Sequence, residues 1–312
     1  MLFRQTLRDS SLFPEGGMMK SIYIAGSLNA DLCIESPYMP EAGETITGTG
    51  FMINGGGKGA NQATAAAKLG GKVKFCGVVG EDVFGEKFLQ GLASAGVDVS
   101  FSRKAKNVPT GVAVILLCNG DNRIVLDKGA NALLSERDID GFLSDAKEGD
   151  LFMTQLENPI PVIAYGLKKA KEKGLITILN PAPANAEIKP WLSFVDIVTP
   201  NETELALLGG KGALFDAGIG TIVTTLGSRG YEISDGAKSI RYPCPKVKAV
   251  DTTAAGDTLC GGLAVGLAEG RTTEDACAFG SKAASIACTR KGAQQSIPTR
   301  EEVLLYVDES II

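Results

Sequence analysis

The stretch Leu151-Phe-Met-Thr-Gln-Leu-Glu-Asn-Pro-Ile-Pro-Val-Ile-Ala-Tyr-Gly-Leu-Lys-Lys-Ala-Lys-Glu-Lys-Gly-Leu-Ile-Thr-Ile-Leu-Asn180 decides the fold. Leu151 to Leu156 reads as a strand, Pro161 to Lys173 as a helix and Leu175 to Leu179 as a second strand. The alternation continues with a short helix near Trp191, a strand at Val195 to Val198, a helix at Asn201 to Leu208 and a strand at Thr221 to Leu226. Such a βαβα succession implies an α/β fold, a doubly wound and mostly parallel sheet with helices on both faces. Polar groups recur just past the strand ends: Glu157, Asn180, Asn201 with Glu204, and Thr225-Leu226-Gly227-Ser228-Arg229-Gly230. In an open parallel sheet those positions share one edge, so they predict a single crevice. Asn201 and Glu204 have a second reading at this spacing, as N-cap and capping-box partner of the helix they begin. The Gly227 to Gly230 segment is either an ordinary turn or a phosphate-contacting loop.

Toward the N-terminus, Ser21 to Ser27 is a short apolar strand that runs into Asn29, Ala30 and Asp31, at a ligand-binding strand end or in a turn. From Leu32 to Ile53 short β-like pieces alternate with Pro37, Pro40, Gly43, Gly48 and Gly50, which suggests a small β subdomain projecting from the main sheet. Asn54-Gly-Gly-Gly57-Lys58-Gly59-Ala60-Asn61-Gln62 then opens a helix-forming run. It is no P-loop, since Gly59 follows Lys58 where Ser or Thr is needed, and Ala60 spoils a dinucleotide fingerprint. Lys58 and Asn61 beside four glycines point to a polar ligand approached closely by backbone, the other reading being a helix N-terminus that simply needs glycine. Val73 to Val79 reads as a strand and Phe84 to Ala95 as a helix. Gly111 to Leu126 resembles a hairpin turning at Asn119-Gly120-Asp121-Asn122, which would rejoin the β subdomain and form a lid.

Toward the C-terminus, Pro245 to Val250 reads as a strand leading into Asp251-Thr-Thr-Ala-Ala-Gly-Asp257. Helices are expected from Gly256 to Glu269, Thr273 to Thr289 and Arg300 to Val307. Ala254-Ala255-Gly256 leaves the first backbone N–H groups of a helix uncovered, a pocket suited to an anion. An aspartate inside such a pocket is either a partner of the helix dipole or a base that takes a proton from an attacking hydroxyl.

Composition narrows the chemistry. The 312 residues are 44% hydrophobic and 21% charged, the balance of a globular protein, and fit one large domain or two small ones. A net charge of −5 argues against nucleic-acid or anionic-membrane partners. The first 17 residues carry no signal-peptide h-region and read as an extension or leader ahead of Met18 or Met19, leaving 20–312 as the fold. Seven cysteines without a CxxC pair fit free thiols in a reducing cytoplasm. The chain has no histidine, which removes Ser-His-Asp and Cys-His sites and histidine metal ligands.

Eight pieces now stand in order: Gly26-Ser-Leu-Asn-Ala-Asp31, Gly56-Gly-Lys-Gly-Ala-Asn-Gln62, Gln155-Leu-Glu157, Asn180-Pro-Ala-Pro-Ala184, Thr199-Pro-Asn-Glu-Thr-Glu204, Thr225 to Gly230, Asp251 to Asp257 and Thr289-Arg-Lys-Gly-Ala-Gln294. From about Lys20 to the C-terminus the set resembles the ribokinase-like (PfkB-type) carbohydrate kinase family. The resemblance implies ATP-dependent phosphorylation of the 5-hydroxyl of D-ribose, or of 2-deoxyribose or another furanose or nucleoside. A non-catalytic sugar-binding relative is the remaining alternative. It implies Asp257 as base and the N–H groups of Ala254, Ala255, Gly256 and Asp257 as an anion hole. Asn29, Ala30, Asp31, Gly57, Lys58, Gly59, Ala60, Asn61 and Glu157 would hold the sugar. Asn201, Thr225 to Gly230, Gly256, Asp257 and Ser281 would line the nucleotide, and Glu204 with Asn201 would place Mg²⁺. Asp251, Thr253, Ala287, Arg290, Gly292 and Ser296 match a K⁺ site, and the lid, drawn from about 32–56 and 109–129, would pair two subunits into a homodimer. Three departures stand out: Leu259 where Phe is frequent, Ser281 where a larger polar residue or histidine faces adenine, and a Gly209 to Gly220 segment shorter than the usual helix-containing one.

Overall fold

Residues Ser21 to Ala25 are buried on both faces, as a central strand of a parallel sheet requires. In the computed structural model, which describes residues 19–118 and 121–307, this segment is β1 (Ser21–Ala25). The chain continues through β2 (Asn29–Glu35), β3 (Thr49–Gly56), α1 (Lys58–Lys68), β4 (Lys72–Cys76), β5 (Val78–Gly80) and α2 (Val83–Ser94). Next come β6 (Arg103–Ala105), β7 (Gly111–Cys118), β8 (Asp121–Asp127), α3 (Glu136–Phe142), β9 (Leu151–Thr154), α4 (Ile160–Glu172) and β10 (Ile176–Leu179). Then β11 (Ile197–Val198), α5 (Glu202–Leu208), α6 (Gly210–Asp216), β12 (Thr221–Thr225), β13 (Tyr231–Ser234) and β14 (Ser239–Tyr242) complete the strands. Helices α7 (Ala255–Ala268), α8 (Thr273–Cys288) and α9 (Arg300–Leu305) follow.

The main sheet has the order β14-β13-β12-β11-β10-β9-β1-β4. Pairings from β4 to β12 are parallel, and only β12–β13 and β13–β14 are antiparallel. Side chains alternate between its faces. Ile22 and Ile24 join one core cluster with Ala63 of α1, Leu263 of α7 and Ala283 of α8. Tyr23 and Phe152 point the other way, into a cluster with Ile139 of α3 and Leu167 of α4. The doubly wound α/β fold read from the βαβα pattern is thus the observed one.

A second sheet, ordered β3-β2-β7-β8, is built from the Leu32 to Ile53 excursion and the Gly111 to Leu126 hairpin. Its first strand starts earlier than the pattern suggests, so Asn29 and Asp31 lie in β2, with Asp31 opposite Asn54 and Ala113. The strands of the hairpin pair from Val112 with Asp127 to Cys118 with Asp121, while the centre of its expected turn, Asn119-Gly120, lies outside the described residues. So does the expected extension as far as Met18.

Several expectations need correction. Pro245 to Val250 is not a strand: Pro243 and Pro245 have no N–H to give a ladder, and the segment is tied at its end by Val250 N–H donating to Cys288 O at 2.7 Å. Val73 to Val79 breaks at Gly77 into β4 and β5, because β5 leaves the main sheet to pair with β6. The Gly209 to Gly220 segment, short as expected, holds the helix α6. The β13–β14 hairpin and α3 went unread in the sequence.

Candidate active site

The site forms where α1 meets the carboxyl end of β1. A Cβ on Gly59 would lie 2.6 Å from Gly26 Cα and from Ser27 N, so only two facing glycines let the helix start reach the strand end. Gly57 turns the chain into α1 at φ 87°, a left-handed conformation that favours glycine. These contacts bring Lys58 N–H to Glu157 Oε2 at 3.0 Å, where the Ser27 hydroxyl also donates. Asn29 Oδ1 accepts from Asn131 Nδ2 at 2.7 Å, and Asn131 is itself fixed by Leu28 N–H at 2.9 Å. The Asp31 carboxylate lies over Gly56, whose Cβ would sit 2.0 Å from Asp31 Oδ2.

Asp257, in the first turn of α7, is 5% exposed. Its Oδ2 accepts from Asn61 Nδ2 at 2.9 Å and its Oδ1 from Gln62 Nε2 at 3.0 Å. Burial pushes its pKa up, against the pull of Lys58, Asn61 and Gln62. Burial also raises Asp31, with Glu157 and Asp257 adding repulsion, to about 7. Burial alone would lower Lys58, but the carboxylates of Asp257, Glu157 and Glu204 outweigh it and its pKa is raised. Carboxylates gathered near one ammonium can bind hydroxyls and take up a proton. Beside them α7 starts without a side-chain cap, and a Cβ on Gly256 would meet nothing within 4 Å, so the helix N-terminus opens onto free space. The Ala255 N–H donates to Thr252 O at 3.1 Å.

The pfkB family carbohydrate kinase model matches residues 19–300. The chain belongs to the pfkB family of carbohydrate kinases. It is 40% identical to a ribokinase of Haemophilus influenzae over 308 residues, covering 94% of this chain and 100% of that one. It is 35% identical to a deoxyribokinase of Salmonella typhi, covering 92% and 98%. Its fold is similar to that of Arabidopsis thaliana ribokinase complexed with ribose and ATP, with a TM-score of 0.81 at 32% identity over 93% and 100% of the two chains.

Within this pfkB-family chain the other expected site residues fall into two further groups. Asn201 and Glu204 form a complete capping box on α5: Glu204 N–H donates to Asn201 Oδ1 and Asn201 N–H to Glu204 Oε2, both at 2.8 Å. An isolated parallel bridge joins Asn201 to Thr225, which brings α5 beside the Thr225 to Gly230 turn. Arg229 there pairs with Glu202. Ser281 is buried on α8. In the second group Asp251 gathers Thr253 and Gly292: Oδ1 accepts from Thr253 N–H at 2.9 Å and from its hydroxyl, and Oδ2 from Gly292 N–H at 2.9 Å. Ala287 O accepts from Arg290 N–H at 3.0 Å, while the Arg290 guanidinium turns away to Glu302. Ser296 donates to Ala293 O at 2.8 Å.

Asn131, Ser27, Gln62 and Gln155 were not among the expected site residues. Gln62 and Gln155 had a usable signal, as polar residues closing a glycine-rich turn and an apolar strand. Asn131 sits in Gly129-Ala-Asn-Ala-Leu133, which carries no periodic signal at all.

Proposed function

We propose that this chain is an ATP-dependent kinase that transfers the γ-phosphoryl group to the 5-hydroxyl of D-ribose. The observation that carries the reading is the buried Asp257 carboxylate, held by two amides at an uncapped helix start, beside Asp31, Lys58 and Glu157. Asn29, Ala30, Asp31, Gly57, Lys58, Gly59, Ala60, Asn61 and Glu157 hold the sugar. Asn61 Oδ1 is buried without a partner, an acceptor free for a hydroxyl. Asp257 accepts the proton of the attacking hydroxyl, and the N–H groups of Ala254, Gly256 and Asp257 serve the transferring phosphoryl, joined by that of Ala255 once it leaves Thr252 O, so positioning and charge neutralisation supply most of the rate. Asn201, Thr225 to Gly230, Gly256 and Ser281 line the nucleotide.

Two cations belong to this reading. Among the described residues no group of three or more acidic or cysteine side chains could hold a metal. Mg²⁺ fits such a site when it arrives on ATP, since it keeps waters and phosphate oxygens and needs only one or two protein carboxylates. Glu204 with Asn201 would hold it, and it would neutralise phosphate charge. The all-oxygen set of Asp251, Thr253, Ala287, Arg290, Gly292 and Ser296, mostly backbone carbonyls, suits K⁺. The small sheet serves as a lid, and one row of it, Ile53–Leu32–Val114–Val125, presents an exposed apolar strip for a second copy of the chain. The seven cysteines are all free, which fits a reducing cytoplasm. No helix of the described residues is long and apolar enough to cross a membrane.

A coupled ADP-release assay over ribose, 2-deoxyribose, fructose and adenosine tests the assignment. Ribose should give the highest kcat/KM. Preference for deoxyribose would move the chain to the second substrate, and silence with all four would leave only a binding role.

A further inference from the structure

A carboxylate accepts hydrogen bonds and donates none, so the groups around Asp257 must present N–H. Gln62 does so from α1 with its Nε2, at 3.0 Å from Asp257 Oδ1 and 3.3 Å from Asn180 Oδ1. That leaves the Gln62 carbonyl facing away from the base, where it accepts from Gln155 Nε2 at 2.6 Å. Both glutamines are buried, at 0% and 1% exposure. The chain of amides therefore has a direction. Turning Gln155 over would set two carbonyl oxygens against each other. Turning Gln62 over would set its oxygen against the carboxylate.

The surroundings keep this direction. Gly26 leaves the room that Gln155 occupies, since a Cβ there would lie 2.3 Å from Gln155 Oε1. That Oε1 is buried without a partner, a cost accepted so that the Nε2 end meets Gln62. Gln62 belongs to α1, Gln155 follows β9, and Asp257 starts α7, so the relay joins three elements far apart in the chain.

We propose that Gln62 and Gln155 are positioning residues for phosphoryl transfer, an oriented amide relay that fixes the Asp257 carboxylate and holds it ready to accept a proton. The inference rests on Asp257 being the base. Charged and titratable groups facing Asp257 are Lys58 on α1, Glu157 after β9, Asp31 on β2 and Cys260 on its own helix. Lys58 favours the carboxylate and the two other acids oppose it, while the relay adds a neutral donor that no change in pH removes.

The experiment compares pH profiles of kcat for Gln62→Met, Gln155→Met and Gln155→Glu, with sugar binding measured separately without nucleotide. Losing the Gln62 donor should move the acidic limb of kcat upward by about one pH unit, the order expected for one hydrogen bond to a charged group. Gln155→Met should shift it less, in the same direction. Gln155→Glu should shift it more than Gln155→Met, because a carboxylate there accepts from the Gln62 amide and turns its carbonyl toward Asp257. Sugar affinity should stay within a few-fold. A packing role predicts altered stability with the limb in place. A limb unmoved in Gln62→Met and Gln155→Glu overturns the relay, as does a loss of sugar binding that accounts for the whole effect. If Gln62→Met does not fold, the ordering of the two Gln155 variants decides alone. Asp257→Asn separates the two readings: retained kcat there removes the base itself, whereas lost kcat with unmoved limbs removes only the relay.

Discussion

Asp31 carries an electrostatic cost in the fold. Its carboxyl sits 8% exposed with Glu157 and Asp257 nearby, and burial with their repulsion raises it from 3.8 to about 7. The folded-state pKa lies above the unfolded one, so protonated Asp31 favours the fold. That contribution is complete below about pH 4 and is lost as pH rises through about 7. Asp31→Asn, neutral and near-isosteric, should therefore raise the melting temperature of the ligand-free protein at pH 8 and flatten its fall between pH 5 and 8. The gain should be a few kcal/mol at most, and sugar affinity should drop at least about tenfold with the loss of a charged acceptor. A melting profile equal to wild type would refute the burial argument. In the wild type, sugar affinity should weaken as pH falls below about 7, because the protonated acid accepts hydroxyls poorly. At this scale the sequence identified the residue types well and their partners badly. The sequence marks Asn61 as a sugar ligand; the structure puts its Nδ2 on Asp257 and leaves only its Oδ1 for a hydroxyl.

Helices α7 and α8 pack with their backbones close together, and glycine permits it. A Cβ on Gly262 would lie 2.4 Å from Gly280 Cα, whereas one on Gly91, inside α2, would meet nothing within 4 Å. Gly262→Ala should destabilise by about 1–3 kcal/mol through forced separation of backbones. Gly91→Ala should stabilise by about 0.5–1 kcal/mol, because alanine loses less freedom in a helix. Urea unfolding of both variants checks the contrast, and equal signs would contradict it. Both glycines look alike in the sequence, since each simply interrupts a helical run. The loop after α8 makes the second case. Asp251 already organises it through Gly292 N–H, so K⁺ should raise kcat over a large inert monovalent cation, and Asp251→Asn should blunt that response. A flat response in the wild type would take the cation out of the account. The helices themselves were legible from composition and spacing; the loop's closure onto Asp251, 41 residues earlier, was not.

For the whole molecule, the question is what covers the small sheet. Phe51 is 60%, Ile53 36%, Val114 44% and Val125 73% exposed, and three of these share one cross-strand row. We expect a dimer by light scattering at working concentration and a monomer when Ile53 and Val125 are both changed to Lys. A monomeric wild type would contradict pairing through this face. The doubly wound α/β architecture was decided by the sequence alone, because buried parallel strands must be continuous apolar runs and their connections must be helices. The same logic places Glu157, Asn201 and Thr225 near one edge, since parallel strands all end on the same side. What tertiary structure alone decided was which polar group meets which. Asn61 reaches Asp257 across 196 residues of chain and Gln155 reaches Gln62 across 93. Periodicity reports only the face a residue takes on its own element, whereas a hydrogen bond between elements depends on how closely their backbones pack, and here on glycines at 26 and 59 that let them touch.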